Sequence, residues 1–455
     1  MRSPRLVAVV AAALLSPALP SLAAPSVPVV TPLVQSVVAR VGTTVAPLTS
    51  ERLVGVTWTS GTGTVQARWH TAAGWSGWQK AEDDSLEPEP AERAGTLHGT
   101  DALWRPKGAD RVELDVRGTQ RGLHLVRVLD GVARTVRSLG LGRAEAADGG
   151  ALLGDVESRA DWGADESMRS GHPEYASTVK AVTVHHTANG NDYTRAEVPS
   201  IIRADYAYHV KGRGWSDLGY NLVVDKFGGI WEGRAGGIGK ATIGAHAQGF
   251  NTGTVGVSLI GDMTKASPTP EAVKALARVT AYAAATWRFD PTTSVTLRSG
   301  GSPRYRAGQD VTLHRVFGHK ETGQTSCPGV LMDHLGDIRE GAKTLLGPAP
   351  QITDVQVTEA PLGLPAPVAI RGTLSRTSPW RVAVRDAAGD VVANATGEDT
   401  APQLVWNGLV PLTAGTAAVA PAPAGTYTWT VVADNGFQTP ARRSGVVRVG
   451  LRVGS

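Results

Sequence analysis

Cysteine is almost missing from this chain of 455 residues: Cys327 is the only one. An internal disulfide is excluded, and with it the cross-linked framework of a small secreted domain. No apolar run is long enough to cross a bilayer. Leu6–Leu15 is too short, and Val27–Val45 is broken by prolines and polar residues. No polybasic tract occurs. The net charge is +4, with Arg2 and Arg5 supplying two of those charges, so a nucleic-acid partner is not implied. Adjacent arginines are absent near the start, which argues against a twin-arginine signal. There is no His-Glu-x-x-His helix, so the thermolysin arrangement is excluded. No short-period internal repeat stands out.

What is present begins with an export signature. Arg2 and Arg5 precede the apolar run, and Ser21-Leu-Ala-Ala24 precedes Pro25. That order of positive, apolar and small residues is a Sec-type signal peptide over residues 1–24. It predicts a secreted or cell-wall-associated protein with no stable membrane span once the signal is cleaved. Residues 25–47 read as an N-terminal linker or edge-strand material. The length calls for two or three domains.

Residues 48–130 alternate in short runs such as Leu53–Trp58, Val65–Trp69, Arg111–Val116 and Leu123–Val128, with glycine-rich turns between them. This predicts a β-sandwich interrupted by an acidic loop, Glu82–Glu92. Trp69, Trp75 and Trp78 lie either in its core and turns or on a glycan-stacking face. Residues 131–156, rich in Gly and Ala, read as a linker. Residues 352–449 return to the β pattern with a hairpin signature at Trp380–Val384 and Val391–Ala393, which suits an immunoglobulin-like sandwich. Both β domains are candidates for contact with a cell-wall polymer.

Residues 157–347 have a different character. Val179–His185 reads as a strand and Pro199–Val210 as a helix. Tyr220–Val224 and Gly229–Gly233 form a hairpin around Asp225–Gly228. Thr254–Ile260 is continuous enough for the centre of a covered sheet. Thr269 and Pro270 are the N-cap and first position of a helix reaching Trp287, and a last helix spans Val330–Leu346. The fold class is therefore α/β, a central mixed sheet with packed helices, flanked by N- and C-terminal all-β sandwiches.

The chemistry concentrates in His185, His319 and Cys327. Two imidazoles and a thiolate suit zinc, and three protein ligands leave a fourth position for water. Metal ligation would also protect a lone extracellular thiol from oxidation. Two other readings stand beside this one. Cys327 could be a buried small hydrophobe, or half of a Cys/His protease dyad, for which no orienting acid is evident.

The motif series decides the resemblance. Arg159-Ala-Asp-Trp-Gly163, Val184-His-His-Thr187, Gly214-Trp-Ser-Asp-Leu-Gly-Tyr-Asn221, Gly228-Gly-Ile-Trp-Glu-Gly-Arg234, Gly244-Ala-His-Ala247, Asn251-Thr-Gly-Thr-Val-Gly256 and Gly318-His through Cys327-Pro-Gly329 occur in order. Residues 157–347, the candidate catalytic domain, resemble the zinc-dependent N-acetylmuramoyl-L-alanine amidase / peptidoglycan recognition protein family, the type 2 amidases. The flanking β domains are similar to those of secreted actinobacterial members. The resemblance implies Zn2+ held by His185, His319 and Cys327, with His186 packing or hydrogen-bonding nearby. It implies Tyr220 as the catalytic tyrosine. It implies Thr325 as the remaining catalytic position, where phage members carry Lys and recognition proteins often Thr. It also implies His246 as a cleft residue, with Asn251 and Arg234 as candidate substrate contacts. Glu321 would orient a ligand or be a solvated loop acid, and Trp215 and Asp217 would serve turn and packing.

The implied partner is peptidoglycan, and the implied reaction is hydrolysis of the amide between the lactyl group of N-acetylmuramic acid and L-alanine. The alternative is a non-catalytic peptidoglycan-binding protein. Non-catalytic members usually lack the Cys ligand, which this chain keeps.

Overall fold

The computed structural model describes residues 26–82, 88, 95–137, 150–358, 367–411, 419–438 and 440–449. The expected signal peptide and most of the acidic loop lie outside the described residues.

The first correction falls on residues 25–47. Ser26–Val38 is a strand, paired antiparallel with His124–Arg137, and Gly42–Pro47 pairs with Arg111–Gly118. Ser26–Val38 lies at the edge of its sheet, and its register shifts between Thr31 and Leu33, where Pro32 sits. An edge and a bulge are where a strand tolerates proline. The expected linker 131–156 also shrinks. Residues 131–137 continue the His124–Arg137 strand, and Gly150–Leu153 is a short helix.

Two antiparallel sheets make the N-terminal unit, one around Glu51–Trp58 and one around Gly63–Thr71. Period-two alternation sends Val54, Val56 and Trp58 into the core between them, with Val65, Trp69, Val112 and Leu114. Trp69 is core, whereas Trp75 and Trp78 are exposed at the surface, against Arg68.

The opposite face of the first sheet is not solvated. Leu53, Val126 and Val128 enter a second core with Ile201, Ile202, Tyr208 and Trp215 of the α/β unit. Polar bonds cross the same seam. Tyr208 Oη donates to the Thr100 carbonyl at 2.7 Å, and Leu97 and Arg213 exchange backbone and side-chain bonds at 2.9 Å. Gly55 lies against the Tyr208 ring so closely that a Cβ would sit 2.2 Å from its hydroxyl.

The α/β unit is built on a five-stranded sheet in the order Ile230–Glu232, Leu222–Val224, Thr254–Leu259, Ala181–His186, Val316–Gly318. The last four run parallel, and Ile230–Glu232 is antiparallel. Thr254–Leu259 takes the centre, as its unbroken apolar run predicted, and all six residues are buried. The helices Pro270–Trp287 and Leu335–Leu346 cover one face. Thr269 caps the first of these by accepting the Ala272 N–H at 3.1 Å. The other face receives Val198–Ala207, which continues as a π-helical turn, Tyr208–Gly212.

The hairpin turn forms as expected. The Asp225 carboxylate accepts from the N–H groups of Phe227 and Gly229 and from the Trp231 indole. The last predicted helix starts later than Val330. Gly329–His334 is a 3-10 turn, drawn tight where the Val330 N–H bonds the Met263 carbonyl. An added hairpin, Ser294–Arg298 with Asp310–His314, packs on Phe250 and Phe317.

The described residues of 352–449 form a three-stranded and a four-stranded antiparallel sheet around a core of Trp380, Val382, Val384, Trp406, Tyr427 and Val431, and a two-stranded pair, Leu409–Pro411 with Val419–Pro421. The chain is thus a mixed α/β unit flanked by β units on both sides.

Candidate metal centre

His185 stands near the C-terminal end of the Ala181–His186 strand. Val182 and Val184 point into the helix-covered core, so alternation turns His185 to the other face. The neighbouring parallel strand aligns Gly318 with Val184, which places His319 at the start of the next turn beside His185. Their rings are 4.7 Å apart. The loop then returns Cys327 to the same point, pinned by the Lys320 N–H bonding the Cys327 carbonyl at 2.8 Å. One donor atom from each of His185, His319 and Cys327 lies within 4.8 Å of the others. The three residues are 0%, 2% and 5% exposed.

The protonation states suit a metal. Burial, then the neighbouring His319 and His246, holds His185 well below the usual imidazole range, so the ring is neutral, as a ligand must be. His185 Nδ1 lies 3.7 Å from Cys327 Sγ, and its Nε2 lies 3.1 Å from His246 Nδ1. With Nδ1 directed at the cluster, Nε2 carries the proton and donates to His246. Two imidazoles and one thiol, with no carboxylate among them, form a donor set that fits zinc.

His186 faces away. Its Nδ1 accepts the Met263 N–H at 2.9 Å, so its 3.9 Å approach to Asp262 is not an ion pair through that nitrogen.

His319 and Cys327 line a cavity of about 20 Å³ together with Tyr220, His209 and Asp205. Space of that size holds roughly one water. The Tyr220 ring is 5.5 Å from that of His185. His209 stacks on Trp215 with centroids 4.4 Å apart and accepts the Gly219 N–H through Nδ1. Burial, then Arg213 and Arg234, holds its pKa at about 3. Burial raises Asp205 well above the carboxylate range. Two further lining residues, Asp101 and Ala102, come from the N-terminal unit. Thr325 stands two residues before Cys327. Its Oγ1 accepts the Cys327 N–H at 3.1 Å and donates to Glu82 Oε2 at 2.5 Å.

The three expected substrate contacts are all buried in this structure. His246 is fully buried behind His185, with its ring clamped between Gly244 and Gly256. A Cβ would meet the ring at 2.5 Å at Gly244 and at 2.2 Å at Gly256. Asn251 is also fully buried, and its Oδ1 accepts the N–H groups of His246 and Ala247. Arg234 is buried, and its guanidinium bonds the Leu218 carbonyl and Ser216 Oγ, holding the loop that leads to Tyr220. Glycine-rich motifs here mark tight packing behind the cluster, which a reading by motif position takes for a cleft. Glu321 bonds the Gly318 N–H at 2.8 Å and so fixes the turn that carries His319. Asp217 accepts from the Leu218 and Ala235 N–H groups, and Trp215 packs on His209, both as expected.

Asp205, His209, Glu82, Asp101 and Ala102 were not anticipated. An Asp four residues before a His within an apolar helical stripe was a readable signal for the first two. No local signal links Glu82 to Thr325 across more than 240 positions.

A mixed sheet that carries a buried two-imidazole, one-thiol cluster beside its strand ends defines an α/β protein with a candidate metal centre. The family model described as N-acetylmuramoyl-L-alanine amidase matches residues 175–330. A second, described as Rv3811 N-terminal galactose-binding domain-like, matches residues 18–137. Peptidoglycan recognition protein 1 of Bos taurus is 31% identical over 192 residues, 42% of this chain and 84% of the relative. Peptidoglycan-recognition protein SC2 of Drosophila simulans is 29% identical over 180 residues, 39% of this chain and 83% of the relative. Among solved structures, Drosophila PGRP-LB matches at 26% identity and a TM-score of 0.32, covering 40% of this chain and 92% of that one. The chain belongs to the type 2 amidase / peptidoglycan recognition protein family.

Proposed function

We propose that this chain is a secreted, zinc-dependent N-acetylmuramoyl-L-alanine amidase that cleaves the amide between the muramic lactyl group and L-alanine of the stem peptide. The observation that carries this reading is the buried cluster of His185, His319 and Cys327, with Tyr220 lining the same cavity as His319 and Cys327. Residues 157–347 are the proposed catalytic domain, and the flanking β units are proposed to contact the wall polymer. Among the described residues no helix is long and apolar enough to cross a membrane.

When bound, zinc would supply Lewis acidity for the acyl oxygen and a water of lowered pKa. The remaining steps belong to side chains. His246 holds His185 in one tautomer, so that its free nitrogen faces the cluster. Tyr220 offers a phenolic O–H to orient a water or to donate to the acyl oxygen. Thr325 Oγ1, which here donates to Glu82, would offer a second donor once released. Burial of all three ligands excludes competing bulk water.

The test is mass analysis of purified peptidoglycan incubated with the protein, with and without a chelator. The expected products are free stem peptides with new L-alanine amino termini, released only without chelator. Undiminished release in chelator, or cleavage at another bond, refutes the reading. A binding-only protein would retain wall affinity in chelator and release nothing under either condition.

A further inference from the structure

The donor pair beside the Cys327 ligand is already taken. The Glu82 carboxylate accepts from Thr325 Oγ1 at 2.5 Å and from the Ser326 N–H at 3.0 and 2.9 Å through its two oxygens. Thr325 has one hydroxyl proton, and it goes to Glu82. A substrate acyl oxygen arriving at Thr325 finds no hydrogen to accept. Glu82 follows the short strand Gln79–Ala81 of the N-terminal unit, and its carbonyl accepts the Asp101 N–H at 3.0 Å. The same unit thus supplies Asp101 and Ala102 as a cavity wall and Glu82 as the partner of the Thr325 and Ser326 donors next to Cys327.

Two kinds of contact join the units, and they differ in how readily they part. Leu53, Val126 and Val128 share a core with Ile201 and Tyr208, so separating whole units would bare apolar surface. The Glu82 carboxylate is half-buried, and its bonds to Thr325 and Ser326 can be exchanged for water or for another acceptor. Any opening is therefore local, by rotation of the Glu82 side chain.

We propose that Glu82 is a displaceable plug that holds the Thr325 and Ser326 donors until a ligand oxygen replaces its carboxylate. The inference rests on the hydrolase reading only for the identity of that ligand, the muramyl-peptide acyl group. Binding then requires the plug to swing out, and the apparent affinity is lowered by the fraction of molecules still plugged.

The experiment compares the wild type with Glu82→Ala and Glu82→Gln by two readouts. One is KM and kcat for stem-peptide release from a purified muropeptide. The other is the rate at which Cys327, the single cysteine, reacts with an aromatic disulfide reagent in chelator-treated full-length protein. Removal of the plug is expected to lower KM about tenfold without lowering kcat, and to speed labelling about tenfold. Glu82→Gln, which keeps the shape and one acceptor oxygen, falls between. If kcat drops in Glu82→Ala while labelling is unchanged, Glu82 takes part in the chemistry and the plug is overturned. Unchanged values in both readouts overturn it equally. If no form releases peptide but Glu82→Ala labels faster, the plug stands and the hydrolase reading falls.

Discussion

His246→Ala tests the metal centre through a residue that cannot itself be a ligand. The His246 ring is fully buried, and Nδ1 sits 3.1 Å from His185 Nε2. Its removal leaves the His185 Nε2–H without its acceptor and opens space between Gly244 and Gly256. His185 can then flip or change tautomer, and each alternative takes Nδ1 away from its place 3.7 Å from Cys327 Sγ. Loss of such a supporting partner weakens metal binding about 10- to 100-fold, or about 1.4–2.7 kcal/mol. The assay is competition for zinc against a chromogenic chelator at pH 7, with a urea unfolding curve as control for the fold. His246→Asn, whose side-chain oxygen can accept the same proton, is expected to recover part of the loss. A folded His246→Ala protein that binds zinc as tightly as the wild type would refute the tautomer argument.

Cys327→Ser and His185→Ala should each reduce stem-peptide release at least about a hundredfold while wall binding in a pull-down largely survives; full-rate release from either would remove zinc from the mechanism. Arg159 bonds Glu166 at 2.7 Å, lies 3.2 Å from Asp217 and stacks on Trp162, so Arg159→Ala strands a buried carboxylate. It should cost about 3–5 kcal/mol of stability, read from the urea midpoint. The pH dependence follows from His209 and His246, both held at about 3 by burial and both close to 6.5 when unfolded. The unfolded chain takes up protons that the native state refuses. Their stabilisation is therefore complete above about pH 6.5 and drains as the pH falls toward 3. In the metal-free protein these two rings contribute a loss of about 4 kcal/mol between pH 7 and pH 5, with His185 acting in the same sense and Asp205 in the opposite one; a His209→Gln protein whose urea midpoint falls over that range as steeply as that of the wild type would contradict the burial argument.

The central strand, the Thr269 cap and the Asp225 hairpin were legible because each rests on a local rule: an unbroken apolar run, a cap before a proline, a turn residue. His185, His319 and Cys327 were legible as donors of one chemical kind, and the register between their strands brings them together. The burial of His246, Asn251 and Arg234 was not legible, because motif proximity does not say on which side of a ligand a residue lies. Ser26–Val38 could be read only as linker or edge-strand material because its two prolines suit either, and the structure makes it an edge strand. Glu82 was not readable at all, since the contact exists only once two separately folded surfaces meet.

The core shared by Leu53, Val126, Val128, Ile201 and Tyr208 bears on how this architecture can be inherited and rebuilt. The Ala and Gly around residues 138–149 look like a natural place to cut and splice, yet the cohesive boundary does not fall there. A gene fragment that begins at residue 150 would encode an amidase unit with a bare apolar flank, and its recombinant product should aggregate. A transplanted N-terminal unit would need a glycine at position 55 to admit the Tyr208 ring. The first two units therefore recombine as one cassette, and the exchangeable joint lies nearer residue 347, where Arg376 and Gln438 reach back to the carbonyls of Leu346 and Gly347.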